Sequence, residues 1–303
     1  MGDHILPQVL LRGFSINKDA NKTNQKIMIY DRESIKVAKI KDRYQVNHFY
    51  SRETEILLEK EFEAPFARLK RKMEDELVST EKDSFMITKK ELLMLIRFVV
   101  VMWRRNDIQI DKIKQTIERV INDPYLKEKM IPRFRNKTTD ELINSYDENF
   151  QQNYYSKIIH ETTVNDPTVL KTYKYYTPVI IVNKTDINFP LHNKYASVQR
   201  IYSSDEAFPD FTIEPISNRI YVLFVLNKQK NNRSEMENIK VVNLSLESEV
   251  ILLIQMYVIN SVKSVVLDDS NKAYVKAKID HPELFQFHIN NDTLQMFLKK
   301  IGM

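Results

Sequence analysis

The sequence predicts an α+β protein: a central helical bundle with a small N-terminal β-unit and a C-terminal β-rich lobe. Three observations carry this. Between residues 52 and 163 apolar side chains recur at steps of three and four, the period of one helix face. At about 164–177 the period changes, and 177–227 reads as alternating, β-rich text punctuated by Pro190, Pro209 and Pro215. Near the N-terminus two short β-prone runs stand on either side of a turn-like tetrapeptide. The corresponding segments are 1–51, 52–163 and 164–303, expected to pack as one unit. A chain of 303 residues that is 43% apolar can bury a large core.

In the first segment IMIY (27–30) and IKVAKI (35–40) flank DRES (31–34), which predicts a hairpin, while Pro7 forbids an ordinary helix interior near the start. In the second, Leu58, Phe62, Phe66, Leu69, Met73 and Leu77 fall on one helix face, which Pro65 should kink or split. Thr88 and Glu91 make a capping box ahead of ELLMLIRFVVVMW. A helix over about 108–122 should stop before Asp123-Pro124. Thr138 and Glu141 repeat the capping pattern before ELINSYDENFQQNYYSKII. In the third, PVIIVN, INF, SVQRIYS, FTIEPI and RIYVLFVLN read as strands, and the polar run 228–238 reads as an exposed loop or helix start. SLESEVILLIQMYVINSV (245–262) is a helix that is apolar almost all round, so it is either deeply buried or a subunit contact. Burial is the favoured reading, with a homodimer through another surface left open. VVLDD is a short strand and DTLQMFLKK (292–300) a closing helix.

Composition excludes more than it names. There are three glycines, Gly2, Gly13 and Gly302. A single internal glycine cannot build G-x-G-x-x-G, a P-loop or a kinase glycine loop, all of which need backbone that wraps closely around phosphate. Neither G-x-S-x-G nor H-E-x-x-H occurs. The absence of cysteine removes disulfides, zinc knuckles and thiol catalysis, and fits a reducing, cytoplasmic setting. The start MGDHILPQ has no basic patch or long apolar run, so no secretory leader is expected. FVVVMW and ILLI are too short to span a bilayer, so no membrane partner is expected. Net charge is +5, and residues 66–136 alone hold 17 Lys and Arg against 11 Asp and Glu. Such a basic helical stretch is either an electrostatic footprint for RNA or DNA or a solvated helix surface.

The most distinctive string is HILPQVLLRGF, residues 4–14. His4 can move protons near neutral pH, Arg12 can fork onto a phosphate or carboxylate, and Gln8 offers both a donor and an acceptor. The same trio can instead fasten an N-terminal segment to the helices, with Arg12 on a buried carboxylate. The string resembles the opening motif H-x-x-P-x-x-x-L-R-x-F of the bacterial family called domain of unknown function 4238, and His4, Pro7, Leu11, Arg12 and Phe14 fill its fixed positions. Further matches are Asn47, Phe49 and Tyr50 in NHFYS, and Glu55 and Glu63 on an acidic helix. Arg104 or Arg105 in WRRND and the segment opening at Asn243 complete the likeness, which runs over about residues 4–270. The family's T-S-D-x-P-like turn has its counterpart in INFPLHNKY (187–195), which lacks the Asp. The resemblance implies an intracellular toxic or sensing protein of anti-phage defence, and supplies no reaction.

Two function classes follow. One is an effector that cuts or binds nucleic acid, RNA first. A phosphodiesterase without a metal or other cofactor needs a base, an acid and a cation: His4, Glu63 and Arg12 are the catalytic candidates. Gln8, Asn47, Arg104 and Arg105 would bind phosphate. The other is a non-catalytic sensor or protein-interaction module in which a protein partner or phage trigger is bound and the polar motif is scaffolding. A metal nuclease would draw on Glu59, Glu61 and Glu63, or on Glu128-Lys129. His48, His160, His192, His281 and His288 read as surface or capping residues, and YYSKIIH and YKYY as base-stacking patches or core edges.

Overall fold

Tyr176–Asn183, a run of β-branched and apolar residues, forms a central strand of a six-stranded sheet in a computed structural model of the chain. The structure describes residues 2–4, 6–43, 45–47, 51–104, 119, 122, 123, 125, 156–199, 209–227, 233–258, 264–281 and 292–303. In chain order the described strands are β1 (Gly2–His4), β2 (Lys26–Tyr30), β3 (Ile35–Lys39), β4 (Gln45–Asn47), β5 (Ser84–Thr88) and β6 (Tyr176–Asn183). They continue with β7 (Leu191–His192), β8 (Ser197–Gln199), β9 (Phe211–Pro215), β10 (Ile220–Leu226), β11 (Met236–Leu244) and β12 (Val265–Leu267). The helices are α1 (Gln8–Leu11), α2 (Arg52–Leu57), α3 (Ala64–Met73), α4 (Lys89–Arg104), α5 (Pro167–Tyr175), α6 (Glu247–Tyr257), α7 (Lys272–Asp280) and α8 (Asp292–Ile301).

The six strands run in the order β5-β11-β6-β10-β9-β8, antiparallel except for the parallel pair β11 and β6. Side chains alternate across a strand. Ile180, Val182, Val222 and Phe224 therefore enter one core with Phe66 and Leu69 of α3 and Leu95 and Val99 of α4. Val179, Ile181, Tyr221 and Leu223 enter a second core with Leu253 and Ile254 of α6 and Phe297 and Leu298 of α8. The fold is mixed α and β, as the periodicity predicts. This sheet lies between the two cores. The described helices of 52–104 form a layer on one of its faces.

The hairpin of the first segment forms, with Met28 opposite Val37. It is not a separate unit, because β2 also pairs with β12 in the order β3-β2-β12-β7, so C-terminal strands complete the sheet. β5 lies inside the expected helical segment, and β11 begins inside the expected polar loop. Both show partial alternation: Phe85 and Ile87 are buried around exposed Met86, and Ile239 and Val241 around exposed Lys240. INF (187–189) forms no strand.

All six apolar residues of the second-segment stripe are buried. Pro65 lacks the N–H that the preceding turn needs. The chain widens into a π-helical stretch over Leu58–Glu63 and places Pro65 in the first turn of α3, so the helix changes register and continues. The capping box is closed: Glu91 Oε2 accepts from Thr88 N at 2.8 Å, and Thr88 Oγ1 accepts from Glu91 N at 3.1 Å. α6 is buried within the chain at Val250, Leu252, Leu253, Ile254, Met256 and Tyr257. The helices expected over about 108–122 and from 139 onward lie outside the described residues, except for residues 119 and 122 and the turn 156–161, which are helical.

Candidate anion-binding groove

The opening string folds as one helical turn, α1, followed by a 3-10 turn over Arg12–Phe14. Pro7 starts it, its carbonyl accepting from the N–H groups of Leu10 and Leu11 at 3.0 and 3.1 Å. Leu6, Leu10, Leu11 and Phe14 are buried in the first core, which fixes the direction in which the remaining residues face. Gln8 and Arg12, one turn apart, join across that other face: Arg12 Nη2 donates to Gln8 Oε1 at 2.8 Å. Opposite stands the helix 52–73. Its apolar stripe is buried, and the acidic residues Glu55, Glu59 and Glu63 follow one another at steps of four along a second line. Gln8, Arg12, Glu55, Glu59 and Glu63, with Lys22 reaching in from a turn, line an open groove of about 510 Å³.

Burial pulls the pKa of Arg12 down, and Glu63 opposes this through space. Among the described residues no carboxylate stands within ion-pair distance of Arg12, and its buried Nε has no hydrogen-bond partner. The groove thus has a partly desolvated cation on its wall that is held by a neutral amide.

Three sequence candidates, Gln8, Arg12 and Glu63, meet in the groove. His4 and Asn47 are joined through their backbones in the ribbon of β1 and β4, where His4 stands opposite Gln45 and Gly2 opposite Asn47. Their side chains, and Arg105 entirely, lie outside the described residues. Arg104 does not line the groove. Its guanidinium is bidentate on Asp166, at 2.9 and 3.2 Å, and also donates to Thr162 Oγ1 at 2.6 Å. Asp166 in turn caps α5, accepting from Thr168 N at 2.8 Å, with Pro167 in the first turn. Arg104 therefore locks the end of α4 to the start of α5. The string Asp166-Pro167 carried that helix start in the sequence.

Of the carboxylates considered for a metal, Glu59 and Glu63 share the groove, whereas Glu61 faces Arg97, which covers the Phe62 ring at 4.8 Å. Among the described residues no cluster of His, Asp and Glu has the geometry to hold a metal ion. Glu128 and Lys129 lie outside them. His192 is not a surface residue. It is fully buried, stacked on Tyr257 with ring centroids 4.2 Å apart, and burial pushes its pKa down to about 3. Its Nδ1 accepts from Lys194 N at 3.2 Å, so its Nε2 donates to Tyr257 O at 3.1 Å and the ring is neutral. His160 and His281 are exposed, and His48 and His288 lie outside the described residues. In YKYY, Tyr176 is buried and Tyr173 sits under the Arg233 guanidinium at 5.3 Å, which makes the patch a core edge. Lys22 is a groove residue that the sequence does not distinguish from any other loop lysine.

No described helix is long and apolar enough to cross a membrane. A family model described as a protein of unknown function, DUF4238, matches residues 3–278. No curated protein and no solved structure matches the chain.

Proposed function

The chain belongs to the DUF4238 family, and from the geometry of this member we propose that its groove binds the phosphodiester of a nucleic acid, RNA first, and cuts it. The observation that carries the proposal is the under-neutralised Arg12 beside Gln8 and Glu63 in an open groove. A guanidinium held by an amide keeps its charge available for a phosphate oxygen, and Gln8 fixes its fork. Glu63 is the base within the same groove. In RNA the 2′-hydroxyl gives its proton to Glu63 and its oxygen attacks phosphorus. The 5′-oxygen leaves with a proton, for which His4 is the candidate donor. The protein acts in the cytoplasm as a toxic effector of anti-phage defence, one of the two roles, toxic or sensing, that the family resemblance implies.

One observation favours a second reading. Among the described lining residues Glu55, Glu59 and Glu63 outnumber Arg12 and Lys22, which suits a basic protein segment and hence a non-catalytic sensor. Cleavage of a labelled single-stranded RNA separates the two. The enzyme reading expects Glu63→Gln to lower the rate by at least about 100-fold, the usual contribution of a general base, while the protein stays folded and no longer inhibits growth on expression. A wild-type protein that leaves RNA intact, or a Glu63→Gln variant as fast as wild type, defeats the enzyme reading.

A further inference from the structure

A second cavity, of about 320 Å³, adjoins the groove through Arg12. It lies against the 3-10 turn that ends the opening string, between the lysine-bearing side of α3 and the turn at Asn218 and Arg219. Its charge balance is the reverse of the groove's. Lys18, Lys70, Arg219 and Arg12 face Glu74 and Asp75, four cations against two carboxylates. In the groove Arg12 and Lys22 face three carboxylates.

Among the described residues only one of these cations is neutralised by a carboxylate in contact with it: Lys70 pairs with Glu74 at 3.1 Å. Lys18 Nζ donates to the neutral Oδ1 of Asn218 at 2.9 Å, and Arg219 donates to the carbonyl of Thr185. Although the residue as a whole is exposed, partial desolvation of the Lys18 ammonium against the cavity wall, with the like charges of Lys70 and Arg219, lowers its pKa against the pull of Glu74 and Asp268. Such a set is costly when empty and is relieved by an anion. Gly13 belongs to the same wall. A Cβ there would stand 2.9 Å from Lys70 Cε and 3.2 Å from Ser217 Cα, so the glycine lets the opening string approach both sides of the cavity.

We propose that this second cavity is a phosphate subsite, taking the phosphoryl group next along from the one in the groove, with Arg12 between them. The ligand is then a chain of at least two linked phosphates. This rests on the phosphodiester reading of the groove and deepens it. The cation-rich cavity supplies the attraction for a polyanion, and the adjoining acidic groove supplies the proton-transfer group. It also answers the objection that three carboxylates would repel RNA, because affinity arises next door.

The test uses the full chain with two probes, a fluorescein-labelled RNA octamer followed by anisotropy and inorganic pyrophosphate followed by calorimetry. Lys18 is exposed and its ammonium bonds to Asn218, so Lys18→Gln should fold. It should weaken binding by about 5- to 10-fold and flatten the plot of log affinity against log salt by about 0.7, one single-strand phosphate contact. Asp75→Asn, which removes a negative charge from the cavity, should tighten binding by a few fold. A response with RNA identifies a nucleic-acid strand, and a response with pyrophosphate alone identifies a nucleotide polyphosphate; either supports the subsite. Unchanged affinity in both variants, or a wild type that binds neither probe at low salt, overturns it. The two proposals fail separately. Glu63→Gln that still cleaves removes the groove chemistry and leaves the subsite standing. Loss of cleavage in Glu63→Gln together with unchanged binding in both Lys18→Gln and Asp75→Asn removes the subsite alone.

Discussion

Replacing Glu214 with Gln should stabilise the protein at neutral and alkaline pH and change little in acid. Glu214 is on β9, fully buried beneath α4, and its Oε1 accepts from Trp103 Nε1 at 3.1 Å. Its Oε2 lies beside the Thr212 hydroxyl, which with Trp103 favours the ionised form, and the nearby hydroxyl of Tyr195 has no partner among the described residues. Burial without a cation pushes its pKa up to about 8, so it is neutral in the fold and ionised in the unfolded chain at pH 7. A raised folded pKa contributes stability that is complete below about pH 4.5 and is lost as pH rises toward 8. At about 1.4 kcal/mol per pH unit, tapering near each pKa, the loss between pH 5 and pH 8 comes to about 3–4 kcal/mol. Gln keeps the acceptor for Trp103 and brings an amide N–H₂ for the two hydroxyls, with no proton to lose. Urea unfolding of both proteins from pH 5 to pH 8 reads the effect directly. The curves should converge toward pH 5 and separate by about 3–4 kcal/mol at pH 8. Parallel curves with no divergence would refute the idea that Glu214 is buried as a neutral acid.

His192 governs the acid side. Its pKa is depressed in the fold, so stability is present above about pH 6.5 and falls as pH drops toward 3. His192→Gln should flatten that acid limb in thermal melts, and a limb of unchanged steepness counts against it. Arg104→Ala strands a buried, helix-capping Asp166, and the loss should be about 3 kcal/mol by denaturant unfolding. Asp166→Ala in the same background should add little, and full additivity of the two would contradict a shared lock. Gly13→Ala should cost about 1–3 kcal/mol, because Lys70 can move aside but the Ser217 backbone cannot. An unchanged melting temperature would show that the turn has room.

Local order was legible in the sequence. The stripe from Leu58 to Leu77, the box of Thr88 and Glu91 and the hairpin around DRES are set by contacts a few residues apart, and period and capping chemistry specify them directly. The opening string was also visible as a unit, since Leu10, Leu11 and Phe14 anchor it and leave Gln8 and Arg12 on the other face. Strand pairing was not legible. β5 joins β11 across about 150 residues and β2 joins β12 across more than 230, and neither partner bears a mark of the other in its own pattern. For the same reason the sequence could not separate Arg12 from Arg104. Both are arginines near carboxylates, but tertiary packing placed Asp166 against Arg104, whereas among the described residues Arg12 is held by the amide of Gln8. A residue's chemistry is fixed by its type. Whether its charge is spent on the fold or left for a ligand depends on which distant groups the chain brings to it.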